Sequence, residues 1–234
     1  MSEPTIYKPG AYNTPGIYNG AGGIYNGRGV YKDGTGGGGD TVEIGGRLYP
    51  FKKVNNLFWI TENLDWKFDG LTIGPNGVPI TPAAWYFNNN ELLYGINGRK
   101  CGLLYNGYAV LALENILPNG WRVPTRSDLD NLINYCGGYQ TAGKKLKAID
   151  DSILTGFPNG WGGEDTEGMQ IIPCGLREGT SFYRDSTRCF LVTSTKPSEG
   201  NLYTRDFYPT DNVSQNTSYD SMSNANTVRL CKDA

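Results

Sequence analysis

Two tryptophan-bearing blocks constrain this chain more than any other feature: Phe58-Trp59-Ile60-Thr61-Glu62-Asn63-Leu64-Asp65-Trp66 and Pro118-Asn119-Gly120-Trp121-Arg122-Val123-Pro124-Thr125. Each sets large aromatic area beside apolar neighbours, and such area stabilises a fold only when it leaves water. Both blocks therefore read as framework. Trp121 is expected as a core aromatic where a strand gives way to a helix, and Arg122 as an internal ion-pair partner of Glu62 or Asp65. Downstream of them the chain turns to small polar residues and tyrosine. A stiff scaffold presenting a polar, tyrosine-bearing surface is the expected division of labour.

Local signals fill in the scaffold. Thr41-Val42-Glu43-Ile44 before Gly45-Gly46 predicts a strand and turn, Leu57-Phe58-Trp59-Ile60-Thr61 predicts a second strand, and the two are expected to open the central sheet. Residues 67 to 100 mix Gly, Pro and Asn with aromatic residues and read as a long looped insertion. Within it, Trp85-Tyr86-Phe87 is read as loop packing, with a sugar-stacking platform as the alternative. The clearest helix follows Pro124. Thr125 is its N-cap with Asp128 three positions on, Leu129, Leu132, Ile133 and Cys136 recur at helical spacing, and Gly137 stops it. The expected class is α+β: a small twisted antiparallel sheet, one clear helix and long loops.

Charge and composition exclude several functions. A formal net charge of -2 and a pI near 5.3 provide no broad basic field for a phosphate backbone, so nucleic acid is not an expected partner. The opening Met1-Ser2-Glu3-Pro4-Thr5 lacks the basic and apolar segments of a secretory signal, and no apolar run is long enough to span a bilayer. Neither export by that route nor membrane insertion is expected. Five cysteines, Cys101, Cys136, Cys174, Cys189 and Cys231, are an odd number without a C-x-x-C pair and read as buried free thiols. Histidine is absent, which removes the usual general base at neutral pH and the commonest zinc ligand. The chain is read as a non-enzyme without a cofactor. Glu164, Asp165 and Glu167 read as a solvated acidic loop, with calcium binding as the alternative.

The amino-terminal segment is a repeat. Gly10-Ala11-Tyr12-Asn13, Gly16-Ile17-Tyr18-Asn19, Gly23-Ile24-Tyr25-Asn26 and Gly29-Val30-Tyr31-Lys32 each couple a tyrosine step to a Gly or Asn-Gly turn signal. This predicts short extended pieces alternating with tight bends. Ordering so many glycines costs backbone entropy that so little apolar area cannot offset within one chain. Partner subunits are therefore expected to hold the leader, with Tyr7, Tyr12, Tyr18, Tyr25 and Tyr31 as anchors; a flexible linker is the alternative. The expected organisation is a leader over residues 1–33, a glycine hinge over 34–39 and a head over 40–234.

The two tryptophan blocks, with Ile44-Gly45-Gly46 before them, Leu103-Leu104-Tyr105-Asn106 between them and Val228-Arg229-Leu230-Cys231-Lys232-Asp233 at the end, resemble the Fibrobacter succinogenes major paralogous domain family. That family is similar to the C-type lectin and formylglycine-generating-enzyme superfold, so the resemblance implies a C-type-lectin-like head. In lectin folds that serve phages as hypervariable receptor binders, the terminal strands carry the diversified residues. Between Asn201 and Thr227, 19 of 27 residues are Asn, Asp, Ser, Thr or Tyr. This is the vocabulary of antibody combining loops, and the stretch is expected at the surface. Ser181, Tyr183, Arg184, Asp185, Thr187, Arg188, Lys196, Asn201, Tyr203, Asn212, Asn216 and Tyr219 are the expected ligand contacts. The leading expectation is a bacteriophage fibre or receptor-binding protein in the virion, a homotrimer by resemblance. Its leader would dock to other virion proteins and its head would meet a host-surface glycan or protein. The alternatives are a capsid or tail decoration protein, a bacterial surface adhesin and, by superfold alone, an oxidase of the formylglycine-generating kind.

Overall fold

The computed structural model describes residues 16–17, 24–26, 30–32, 40–90, 101–118, 120–149, 161–185, 187–209, 213 and 218–234. The chain divides into two units, Met1–Gly39 and Asp40–Ala234. In the first unit, β1 (Gly16–Ile17), β2 (Ile24–Asn26) and β3 (Val30–Lys32) pair antiparallel in sequence order, with Tyr25 opposite Tyr31. These are the short extended pieces that the repeat predicts. Tyr7, Tyr12 and Tyr18, like residues 34–39, lie outside the described residues.

The second unit is α+β with β dominant, built on two sheets. The smaller contains β4 (Thr41–Ile44), β5 (Arg47–Val54), β6 (Leu57–Ile60) and β16 (Cys231–Asp233), in the order β16-β6-β5-β4. Its turns follow from sequence. Gly45 and Gly46, at φ +60° and +78°, close β4 onto β5 in a two-residue hairpin of the kind that demands positive φ. Asn55, at φ +56°, does the same between β5 and β6. A Cβ added to Gly45 would stand 1.9 Å from Cδ1 of Trp66, so glycine is fixed there by space as well as by conformation.

The larger sheet has nine strands. Its order is β14 (Ser218–Ser221), β13 (Asn201–Phe207), β12 (Cys189–Val192), β10 (Cys174–Glu178), β15 (Ala225–Thr227), β9 (Leu104–Asn106), β8 (Ala83–Trp85) and β7 (Thr72–Ile73), with β11 (Ser181–Asp185) paired to β10. This corrects two expectations. The strands at 41–44 and 57–60 do not open the central sheet, because the last strand of the chain takes β6 as its partner and closes a separate sheet with them. Nor is the main sheet small and purely antiparallel, since β10–β12, β12–β15 and β7–β8 pair in parallel. The looped insertion is corrected in part. β8 lies wholly buried inside residues 67–90, and Trp85 and Phe87 pack in a small core with Leu104 and Ala225. Residues 91–100 lie outside the described residues.

Three helices lie among the described residues where one was expected: α1 (Gly107–Leu113), α2 (Arg126–Tyr135) and α3 (Ala142–Leu146). Asn106 caps α1, its side-chain oxygen accepting from Ala109 N at 2.9 Å. That side chain also accepts from Ala83 N and donates to Thr81 O, so one residue starts the helix and secures β8. α2 begins as the sequence predicts. Thr125 and Asp128 form a reciprocal capping box, while Leu129, Leu132, Ile133 and Cys136 pack against Trp59, Cys174, Cys189, Leu191 and Phe207. Each large apolar side chain so buried stabilises the fold by roughly 1.5–3 kcal/mol.

Trp121 is buried as expected and meets Phe51 edge-on at 5.4 Å between ring centroids. Arg122 is not paired as expected. It bonds Asp128, Asp233 at 3.1 Å and the Cys231 sulfur at 3.0 Å, whereas Glu62 and Asp65 pair with Arg47. Arg122 leads directly into the α2 cap and β16 lies alongside it, so nearer carboxylates claim the guanidinium. All five cysteines are free and buried.

Candidate functional site

The candidate surface is the outer face of β13 and β14. Tyr203 is directly opposite Tyr219 and Asn201 opposite Ser221, so these four side chains share one face of the ribbon. Leu202 and Asp220 project to the other face, where Leu202 joins the main core. Tyr219 is 59 % exposed, and Asn201 and Tyr203 are half-buried. Position along the strand decides this: β13 alternates outward and inward at 201–204 and is then buried from Thr204 to Phe207.

Backbone contacts fix the tyrosine pair against α2. Thr195 O accepts from Tyr203 N at 3.0 Å, while Thr195 Oγ1 accepts from Arg126 N at 3.0 Å. The Arg126 guanidinium then stands 4.7 Å from the Tyr203 ring centroid and pairs with Asp130 at 3.4 Å. Asp130 also holds Arg205, a fully buried guanidinium of β13, through Nε at 2.9 Å. Lys196 is exposed beside this junction, and Asn201 donates to Ser198 Oγ at 3.1 Å. The face thus combines two phenols, a stacked guanidinium, an amide, hydroxyls and an ammonium. Such a set can stack on a ligand and exchange hydrogen bonds with it. On the opposite face, burial pushes the Asp220 carboxyl up from its ordinary value, opposed by hydrogen bonds from Asn226 and Asn224.

The sequence profile of the Fibrobacter succinogenes major domain family matches residues 52–232. The chain belongs to that family. No curated protein and no solved structure was found to match it. The family domain thus spans both tryptophan blocks, the capped helix and every strand of the candidate face.

Within the family domain the expected contact residues fall into two groups. Asn201, Tyr203 and Tyr219 belong to the face just described, and Lys196 is exposed next to Thr195, whose carbonyl accepts from Tyr203 N. Ser181 and Tyr183 are exposed on β11, which among the described strands pairs with β10 alone, on the far side of β12 from β13. Arg184 and Asp185 lie in the same strand. Thr187 is exposed, and Arg188 is half-buried with its guanidinium 4.6 Å over the Tyr208 ring. Asn212 and Asn216 lie outside the described residues.

The expectation that Asn201–Thr227 is all surface is corrected. β15 is wholly buried between β10 and β9, and Thr204, Arg205, Asp206, Asn226 and Thr227 are buried polar residues. Some of them have partners at hand: Arg205 has Asp130, and Thr204 donates to Asp206 at 3.4 Å. Arg126 was missed by sequence reasoning, although its position one residue after the N-cap was legible.

Two other places bear on chemistry. Val54, Asn56, Trp59, Asn131 and Leu132 help line a cleft of about 120 Å³ between the β5–β6 turn and α2. That is well below the roughly 300–1,000 Å³ of small-molecule sites. In the acidic loop, Glu164 pairs with Lys144 at 2.9 Å, and Asp165 accepts from Gln170 N at 2.7 Å. Among the described residues no three His, Cys, Asp or Glu side chains are grouped to hold a metal, and no helix is long and apolar enough to cross a membrane.

Proposed function

We propose that this chain is a bacteriophage virion protein, a fibre or receptor-binding subunit. In this reading a C-type-lectin-like head meets a glycan or protein on the host surface, and the tyrosine-repeat leader docks to other virion proteins. The observation that carries it is the Tyr203–Tyr219 pair, with Arg126 stacked behind and Asn201 and Lys196 beside it. Aromatic area flanked by short adaptable hydrogen-bonding side chains is suited to recognition. The absence of histidine and the small volume of the cleft favour binding over catalysis. Assembly as a homotrimer would let weak individual sites gain roughly 10²–10⁴ in avidity when geometry allows several to engage.

The oxidase reading is disfavoured by the state of the thiols. Burial pushes Cys136 and Cys189 each up to about 12 and Cys174 well above its ordinary value, far from the reactive thiolates such chemistry needs. The burial of Thr204–Phe207 and of β15 favours a second reading, a decoration protein that stabilises a capsid or tail joint and binds no receptor. Adsorption of the purified full chain to susceptible bacteria separates the two. The receptor reading expects Tyr219→Ala, at an exposed position, to weaken adsorption at least about tenfold without moving the melting temperature. Absence of adsorption to any susceptible cell, with particles lacking the protein made more fragile, would establish decoration instead.

A further inference from the structure

We propose that Cys101 and Cys174 form a disulfide when the protein meets an oxidising thiol-disulfide environment, stapling the interior of the head. The two residues are 73 positions apart in sequence, yet they share one buried cluster, which also holds the other three cysteines. One nitrogen organises their meeting. Asn63 Nδ2 donates to the Cys101 carbonyl at 2.9 Å and to the Cys174 sulfur at 3.4 Å, so the backbone of one cysteine and the thiol of the other flank a single amide. Burial, and after it the Cys101 side chain close by, pushes the Cys174 thiol up.

The surroundings hold both sides of the pair in place. Asn63 is itself anchored, its Oδ1 accepting from Arg229 Nε at 2.6 Å. Gly102, at φ +76°, presses the Cys101 segment onto residues 63–64: an added Cβ would stand 2.6 Å from Leu64 O, and Leu103 N donates to that same oxygen at 3.0 Å. Cys174 opens β10 and is set by pairing on both sides, Cys174 with Asp185 of β11 and Gly175 with Cys189 of β12. A disulfide requires two sulfurs delivered by backbones that need not move far, and the Asn63 amide already holds the carbonyl of one cysteine and the sulfur of the other. Cys189 is the neighbouring competitor, but no described hydrogen bond joins its sulfur to either partner. Cys136 and Cys231 belong to the same cluster, Cys136 beside the acidic-loop residue Glu167 and Cys231 beside Arg122, and no described hydrogen bond joins either sulfur to Cys101 or Cys174.

The chemistry balances with a small-molecule disulfide such as oxidised glutathione as the oxidant. The thiolate of Cys101, the less buried of the two, attacks one glutathione sulfur; the S–S bond of glutathione breaks and one glutathione thiolate leaves. That leaving thiolate takes up the proton Cys101 gave to solvent. Cys174 then loses its proton and attacks the Cys101 sulfur of the mixed disulfide, releasing the second glutathione thiolate, which takes up that proton. Two protein thiols are oxidised and one glutathione disulfide is reduced to two thiols. Burial makes the Cys174 thiol slow to ionise, so closure proceeds through local opening rather than in the tightly packed state.

The sequence makes the test direct, because trypsin places the five cysteines on five peptides, with Cys101 in 101–122, Cys174 in 148–177 and Cys189 in 189–205. The full chain is held in excess oxidised glutathione at about pH 8.5, where thiolate increases, with urea below the unfolding transition to permit local opening. It is then alkylated and digested without reduction. The expected result is a cross-linked pair of peptides 101–122 and 148–177, lighter by two hydrogens, with three of the five cysteines alkylated. Cys101→Ser should abolish the cross-link and leave the other four thiols open to alkylation. Five alkylated cysteines in the unsubstituted chain, or a cross-link that joins either peptide to 189–205, overturns the proposal.

Discussion

Replacing Asp128 with alanine tests the joint that sets α2 on the scaffold. The carboxylate accepts from Thr125 N at 2.7 Å, from the Thr125 hydroxyl at 2.7 Å and from both terminal nitrogens of Arg122. Its side chain is 14 % exposed, so these bonds are partly shielded from solvent. Losing the capping interaction costs about 1 kcal/mol, and losing charge-assisted bonds to a guanidinium about 1.5–3 kcal/mol. Arg122 keeps Asp233, but that side chain is 87 % exposed and compensates little. The sum is about 2.5–4 kcal/mol, or a fall of roughly 5–16 °C in melting temperature for a domain of this size. Circular dichroism against temperature reads it. Acid supplies the second arm. Burial alone would raise the Asp128 carboxyl, but hydrogen bonds from Arg122 and Thr125 outweigh it and hold the group below its ordinary value. A carboxylate depressed in the folded state contributes fully above its unfolded value near 4 and loses that contribution as pH falls through the folded value. The gap between the unsubstituted chain and D128A should therefore narrow below about pH 4. A variant melting within about 2 °C of the parent at neutral pH, or a gap that widens in acid, would refute the reasoning.

Trp121→Ala should cost about 3–5 kcal/mol in urea unfolding, since the indole fills core space against Phe51; an unchanged midpoint counts against its burial. Gly45→Ala should cost about 1–2 kcal/mol for the left-handed backbone alone and more for displacing Trp66, 1.9 Å from the new Cβ, so the same assay should show a loss and near-parental stability would contradict the packing. Replacing Tyr18 and Tyr25 together with alanine should release the protein from purified particles without changing the melting of the head. Retained incorporation would dismiss the anchor role.

Legibility followed the range of the interaction. The α2 cap, the Gly45-Gly46 turn and strands β4 and β6 rest on contacts between residues a few positions apart, so residue type and spacing were enough. α1 was missed although Asn106 carries a capping signal. The reason is that its side chain bonds Thr81 and Ala83 as well, a long-range role that spacing alone does not display. Arg122 was correctly read as internally paired and its partner misread, because Glu62 and Asp65 lie nearer Arg47 in the folded chain. In the candidate face, the outward positions Asn201, Tyr203 and Tyr219 were legible, and the guanidinium stacked behind them was not.

By itself the sequence determined the family and the local backbone geometry at caps and tight turns, because glycine, asparagine and threonine act through short-range sterics and hydrogen bonds. Only the tertiary structure decided which polar residues face water. Composition marks Asn201–Thr227 as polar throughout, yet strand order sends β15 to the interior of a nine-stranded sheet and leaves β14 at its edge. A polar side chain is tolerated inside wherever another chain segment brings it a partner. Such partners, as Asp130 is to Arg205, come from segments distant in sequence, which pattern and spacing do not specify.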